Sequence, residues 1–370
     1  MAYRELRDDH GALVVSLPVV ADAAWHLSEA NVVIHGGEGD RVLPGFAALY
    51  VAWLSHVADD LRTAAGDAGR PLVVICESRQ IGETLGRWCD PRVRIVHTVH
   101  NSHLAHPFDA AAPVRDEGWR RWLDALDGFD LVLWQTLAQA REVDERFPHR
   151  ARFATVPSAI LPRRAARVAS RRRDDVVVMA CRLVEQKRVD LAVLAWEEVV
   201  RERPGARLEI YGDGPLREQL RTMIRDRGLR GAIRLRGHDD DVRAAIDRAR
   251  VFLSTSAFEG QGLAIVEALS AGVPVVSFDV RYGPAEVIGD GGILVSPGDL
   301  SGLSTAILSL LQDEEQWDRT SGRARLAATR FTPDRVGVQL RRELDAVLAG
   351  PASRLACSRG ATDRVASVSP

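Results

Sequence analysis

Short β-branched runs alternate with amphipathic stretches over most of this 370-residue chain, and that alternation limits how it can fold more than any other feature. Residues 72–76, 93–98, 131–134 and 153–156 read as strands, with helical periodicity over 81–88, 119–126 and 135–147 between them. A strand that returns to its own sheet through a helix runs parallel to the first, so this half predicts a parallel sheet with helices on both faces. An Arg-rich stretch at 158–174, with Pro162 and little apolar content, interrupts the rhythm. It then restarts with strands at 176–180, 208–211, 233–235, 251–253, 275–278 and 293–295, and ends with helices at 300–311, 314–329 and 333–348. The expected fold is α/β: two Rossmann-like domains, 1–157 and 175–350, joined by a linker at 158–174 and followed by a disordered tail at 351–370. Ligands of such sheets lie beyond the carboxyl ends of the strands, in the cleft.

The first seventy or so residues fit the rhythm least. Strands are expected at 14–19 and 32–35, and a helix over 46–65 carries Leu49, Trp53, Val57 and Leu61 on one stripe. Gly36-Gly-Glu-Gly39 follows a strand but lacks the helix start that a phosphate-binding glycine loop needs, so this region reads as a diverged part of the first domain.

Composition excludes several classes. A net charge of −2 provides no global field for nucleic acid. Cys76, Cys89, Cys181 and Cys357 show no paired metal or redox spacing, which fits a reducing cytoplasm. The apolar run 11–24 mimics a signal peptide, but Glu5, Asp8 and Asp9 offset Arg4 and Arg7, and a strand is expected there. No run reaches the roughly 18 to 20 apolar residues of a membrane span.

The segment from 251 to 278 concentrates the chemistry. It reads as strand, loop, helix, strand, with Gly260 and Gly262 in the loop, Leu263 opening the helix and Gly272 closing it. Free N–H groups and the positive end of the macrodipole make that helix start a phosphate cradle. Glu259 and Glu267 bracket it, and an ionised carboxylate accepts both hydrogens of a vicinal diol. A phosphate cradle with two diol-reading acids describes a nucleotide-sugar site. In Ala180-Cys-Arg-Leu-Val-Glu-Gln-Lys-Arg188, Arg182 and Lys187 follow the first strand of the second half, where a pyrophosphate would sit. Lys187 is the only lysine among 49 basic residues.

The paired glutamates, followed by Ala-Leu-Ser-Ala-Gly-Val-Pro-Val-Val, resemble the retaining glycosyltransferases of GT-B fold in the large family-four group. Phe258-Glu-Gly-Gln-Gly-Leu-Ala-Ile-Val-Glu267 and Asp279-Val-Arg-Tyr-Gly-Pro-Ala-Glu-Val-Ile288 are similar to the branch containing poly(glycerol-phosphate) α-glucosyltransferases of wall teichoic acid. The resemblance implies an acceptor-side domain at 1–157 and a nucleotide-sugar domain at 175–350. It implies that Arg182 and Lys187 hold the diphosphate, worth about 3 kcal/mol each as the leaving group departs, and that His100 lies over the transferred sugar. Gly237 and His238 would approach uracil, and Gln261 would belong to the donor loop. A UDP-sugar donor, a glycan or polyol-phosphate acceptor and peripheral contact with the inner membrane face are implied too, with no metal or further cofactor.

Other patterns have plainer readings. His97, His100, His103 and His106 stand three apart, but the segment is β-branched and extended, so they would not form one metal face. His103 remains a candidate for acceptor contact. Gly237-His-Asp-Asp-Asp-Val242 reads as acids at a helix start in preference to a metal motif. Tyr211-Gly-Asp-Gly-Pro215 lacks the third glycine of a dinucleotide fingerprint and reads as a strand-to-helix turn. Three rivals stay open: a glycosyltransferase acting on another glycan, lipid or protein acceptor, a retaining glycosidase using Glu259 and Glu267 at about 5 to 5.5 Å separation, and a nucleotide-sugar-binding protein without catalysis.

Overall fold

The computed structural model describes residues 2–21, 25–37, 39–67, 69, 71–86, 88–161 and 175–351. The expected linker therefore falls mostly, and the tail almost entirely, outside the described residues.

Strands β1 (Tyr3–Arg7), β2 (Leu13–Pro18), β3 (Val32–Ile34) and β4 (Arg41–Leu43) pair antiparallel in that order. This corrects the Rossmann-like expectation for the start of 1–157. Only residues 8–12 join β1 to β2 and 35–40 join β3 to β4, whereas a parallel crossover needs about a dozen or more. Asp8 closes the first reversal by accepting the Ala12 N–H at 2.9 Å. Gly36 and Gly39 lie in the second, a hairpin turn where Gly39 N–H donates to the Gly36 carbonyl.

Helix α1 (Gly45–Ala64) follows. Gly45 has φ +79°, and a Cβ there would lie 1.9 Å from the Ser28 carbonyl oxygen, so only glycine starts the helix at this angle. The stripe expected to pack is displaced: Trp53 and Leu61 are more than half exposed, while Ala58 is buried and Val51 and Leu54 meet the first parallel core. Helical spacing located the helix, but a ring of apolar residues this wide does not specify which face is covered.

From Leu72 the alternation governs. β5 (Leu72–Cys76), α2 (Arg79–Leu85), β6 (Val93–Val99), α3 (Glu117–Asp124), β7 (Leu131–Trp134), α4 (Leu137–Arg146) and β8 (Phe153–Thr155) build a parallel sheet in strand order β5-β6-β7-β8. One face carries the Trp119, Trp122, Phe129 and Trp134 core. Ser78 and Asp116 cap α2 and α3, accepting the Ile81 and Trp119 N–H groups.

The second unit runs β9 (Val176–Ala180), α5 (Val189–Glu202), β10 (Arg207–Tyr211), α6 (Arg217–Asp226), β11 (Ile233–Gly237), α7 (Val242–Arg248), β12 (Val251–Ser254), α8 (Leu263–Ser270), β13 (Val275–Phe278), α9 (Gly283–Ile288) and β14 (Gly292–Val295). Helices α10 (Leu300–Gln312), α11 (Glu314–Ala328) and α12 (Pro333–Ala349) complete it. All its strands are parallel, in the order β11-β10-β9-β12-β13-β14. The order reverses direction between β9 and β12, which marks the switch point where a doubly wound sheet opens a crevice at its carboxyl edge. Although α12 is last in the chain, it packs on the first parallel sheet, where Val336 and Val347 meet Val96, Leu131, Leu133 and Val156. The two units are thereby held together from behind.

Candidate functional site

A cavity of about 360 Å³ opens at that switch point, between the loops after β9 and β12 and the carboxyl edge of the first parallel sheet. Of the residues selected by sequence, it brings together His100, Arg182, Lys187, Glu259, Gly260, Gln261, Gly262 and Leu263.

The loop after β9 is braced from below. Cys181 and Leu183 donate N–H groups to the carbonyls of Tyr211 and Asp213 at 3.0 and 2.9 Å. A Cβ at Gly212 would lie 1.9 Å from the Cys181 carbonyl oxygen, and one at Gly214 would lie 2.5 Å from that of Leu183. The glycines of Tyr211-Gly-Asp-Gly-Pro215 thus admit the loop that carries Arg182, a role no spacing rule revealed. Burial pushes the Cys181 thiol up to about 11, so it is an inert wall of the cavity.

Lys187 ends a short 3-10 turn, and Arg188 behind it adopts the left-handed region at φ 44°. Thr255 Oγ1 lies 2.9 Å from the carbonyls of both residues and holds this bend against β12. The bend sends the two side chains apart: Arg188 pairs with Asp190 at 3.0 Å, whereas Lys187 Nζ reaches Glu259 Oε1 at 2.5 Å inside the cavity. Ser256 Oγ donates to the same carboxylate oxygen at 2.7 Å. The other oxygen, Oε2, has no protein donor among the described residues and is free for a ligand hydroxyl. Arg182 is exposed at the rim and makes no ion pair among the described residues. Leu263 and Ala264, in the first turn of α8, line the same space, and their N–H groups have no partner within the helix. Two cations, a helix terminus and one carboxylate make a pocket that favours an anion bearing hydroxyl groups.

Across the cleft stands His100, just beyond β6. Its Nδ1 lies 2.8 Å from Gln135 Nε2, which also reaches Ser158 Oγ at 2.6 Å. An amide donor on Nδ1 leaves the proton of the neutral ring on Nε2, which lies 3.7 Å from Glu77 Oε2. Gln135 was missed by sequence reasoning. Its signal was a lone polar residue directly after the wholly buried β7, at a strand's carboxyl end.

Several expectations change. Gly260 does not open the loop to a phosphate: a Cβ there would lie 2.3 Å from the His100 carbonyl oxygen, so it is one of the points where the two units touch. Gly262 is needed for φ +86° at the start of α8. Gln261 lines the cavity, but its amide is occupied by Ser158, accepting from its N–H at 2.6 Å and donating to its carbonyl at 3.1 Å. Glu267 does not line the cavity; it lies one turn along α8 from Leu263 and meets Arg243 at 3.5 Å. The glycosidase reading needs both carboxylates on one cavity wall, and only Glu259 is there. Gly237 and His238 also lie outside the cavity wall, with His238 paired to Asp240 at 3.2 Å. Asp241 caps α7 by accepting the Ala244 N–H. His103 is fully buried among Trp119, Phe147 and Tyr282 and cannot meet an acceptor. Burial lowers His97 and His103 to about 3, so both are neutral core groups.

The chain is similar in sequence and in fold to known proteins. The family described as Glycosyl transferases group 1 matches residues 174–313. An exopolysaccharide phosphotransferase of Streptomyces coelicolor is 37% identical over 186 residues, 50% of this chain and 20% of that protein. The poly(glycerol-phosphate) alpha-glucosyltransferase of Bacillus subtilis is 36% identical over 157 residues, 42% of this chain and 23% of that one. The chain therefore spans about a fifth to a quarter of the length of these relatives. S. aureus TarM, solved with fondaparinux, alpha-GlcNAc-glycerol and UDP, superposes with a TM-score of 0.78 at 20% identity, over 94% of this chain and 67% of that one. Residues 174–313 match the family of glycosyl transferases group 1, within a chain that has the GT-B fold.

Proposed function

We propose that this protein transfers a hexosyl group from a UDP-sugar to an acceptor hydroxyl with retention at the anomeric carbon. The observation that carries this is the Lys187–Glu259 pair at the β9/β12 switch point, beside Arg182 and the start of α8 and opposite His100. On this reading Arg182, Lys187 and the first N–H groups of α8 hold the diphosphate. Lys187 exchanges one carboxylate oxygen for phosphate oxygens, and Glu259 then accepts hydrogens from the sugar hydroxyls. Glu267 lies on the same face of α8 as Leu263, so ribose extends along the helix towards it, and the base continues towards Gly237 and His238. No second carboxylate on the described cavity wall is placed for a double displacement. Attack from the same face as the leaving group is therefore the reading, with the departing phosphate taking the acceptor proton.

The acceptor we propose is a polyol-phosphate polymer made at the inner membrane face, with the enzyme in the cytoplasm. Support comes from the names of the relatives, including the poly(ribitol-phosphate) alpha-N-acetylglucosaminyltransferase of Staphylococcus aureus, 32% identical over 143 residues. None of the described helices is long and apolar enough to cross a membrane. The test is nucleoside diphosphate release from UDP-, GDP- and ADP-sugars, with and without glycerol- or ribitol-phosphate oligomers, and proton NMR of the product anomer. UDP-sugar turnover stimulated by the oligomers is expected; donor binding without turnover on any acceptor would leave only a binding protein. Chelation should leave the rate unchanged, because two cations and a helix end already face the diphosphate, and a loss restored by magnesium or manganese would overturn that part.

A further inference from the structure

The segment after β13 carries Arg281, Tyr282 and Glu286, which the proposed chemistry does not use. Their side chains cross to α4 of the first unit. Tyr282, itself buried, donates its hydroxyl to Glu142 Oε1 at 2.9 Å, and Arg281 Nη1 meets Glu142 Oε2. Glu142 is buried as well and also accepts from Arg146 at 2.9 Å. Glu286 lies at the start of α4, where its two oxygens accept the N–H groups of Leu137 and Ala138 at 2.8 and 2.6 Å. The α4 cap residue Thr136 supplies no side-chain bond there. A carboxylate from the other unit thus takes the place of the missing cap.

These contacts lead to the site in both directions. On the second unit, Glu259 N–H donates to the Arg281 carbonyl and Tyr282 N–H donates to the Glu259 carbonyl, each at 2.9 Å. The backbone of the cavity carboxylate is therefore tied to the two residues that grip Glu142. A Cβ at Gly283 would lie 2.2 Å from the Gln261 carbonyl oxygen, so the same segment presses on the donor loop. On the first unit, Gln139 of α4 donates from Nε2 to the Asn101 carbonyl at 2.9 Å, next to His100. An unbroken path runs from Glu259 through Tyr282, Glu142 and α4 to the turn that carries His100.

We infer that Glu142, Arg281, Tyr282 and Glu286 form an interdomain latch that positions Glu259 against His100, so that engaging the sugar of the donor depends on the latch being closed. These are positioning residues, since none touches the cavity. The inference rests on the donor reading above and adds a division of labour. The diphosphate needs only the second unit, whereas the sugar needs both. Burial and the adjacent Glu142 carboxylate raise the Tyr282 phenol far above its ordinary range, so it stays a donor at any working pH. Removing Tyr282 or Arg281 leaves Glu142 with Arg146 and one fewer donor from the second unit, and that weakens closure.

The experiment uses the full chain with Tyr282→Phe, Glu142→Gln, Arg281→Ala and Arg281→Lys. Calorimetry compares UDP with UDP-glucose and UDP-N-acetylglucosamine, and small-angle scattering follows the radius of gyration of the free protein. The first three variants should expand the free protein and weaken UDP-sugar binding about tenfold, the loss expected for one hydrogen bond to a charged group, with UDP affinity nearly unchanged. Arg281→Lys should recover much of the loss. Equal losses for UDP and UDP-sugar, or unchanged scattering and sugar affinity, would overturn the latch. If the wild type binds no UDP-sugar, the functional reading fails, and the scattering comparison still decides whether these residues hold the units closed.

Discussion

Among single residues, Lys187 makes the most specific claim. Its ammonium sits 2.5 Å from Glu259 Oε1 at the end of a bend that Thr255 holds by two carbonyls. A guanidinium is broad and planar and does not fit between that oxygen and a phosphate as a point charge does. Lys187→Arg should lower kcat about a hundredfold, near the loss for Lys187→Ala, with circular dichroism and melting temperature near wild type; a wild-type rate would show that charge alone suffices. Glu259 and Glu267 should separate by ligand. Glu267→Gln is expected to weaken UDP and UDP-sugar alike, and Glu259→Gln to weaken only the sugar nucleotide, as read by calorimetry. That Arg182, Lys187 and Glu259 line one cavity was legible because they lie in the loops after β9 and β12, whose strand patterns are recognisable, whereas His100 was picked out by the family resemblance. The partnership of Gln261 with Ser158 was not, since an amide side chain has no preferred partner until the chain is folded.

At the level of elements, β12, its loop and α8 form the unit on which the site depends. Gly262 holds φ +86°, and Gly66, at the end of α1, holds φ +68° in open space. Alanine at either position should cost about 1 to 2 kcal/mol of backbone strain, seen as a lower urea midpoint. Only Gly262→Ala should also weaken UDP binding, because it alone tilts the first N–H groups of α8; equal UDP affinity in the two variants would disconnect the helix start from the phosphate. Apolar periodicity placed the terminal helices α10, α11 and α12 within two residues of their observed ends. It misplaced the packing face of α1, because both candidate stripes are apolar and only the neighbouring core decides between them.

For the whole molecule, acid should be destabilising in a defined window. His97 and His103 are buried in the first unit and lowered to about 3, mainly by burial. In the unfolded chain each takes a proton near its ordinary 6.5. The unfolded state thus binds more protons between those values, so the contribution is complete above 6.5 and is lost as pH falls towards 3. At pH 5 the loss is about 2 kcal/mol for each histidine. Melting temperature should fall from pH 7 to pH 5, and His97→Asn, though less stable at pH 7, should show a shallower slope. An unchanged slope would mean that His97 titrates in the fold.

The sequence by itself determined that this chain alternates strand and helix, that its sheets are parallel from Leu72 onward, and that Arg182, Lys187 and Glu259 stand beyond the carboxyl ends of the strands of the second sheet. Those properties are local: hydrophobic period, glycine position and strand-end polarity act over a few residues, and the sheet follows from them. Tertiary structure alone decided that α12 returns to the first sheet, that Gly260 meets the His100 carbonyl, and that Tyr282 donates to Glu142 across 140 residues of chain. Arg146, four residues on in the same helix, supplies Glu142 with one donor, but nothing near it in sequence states that Arg281 and Tyr282 supply the others, because those come from the other unit and meet it only once the two have docked.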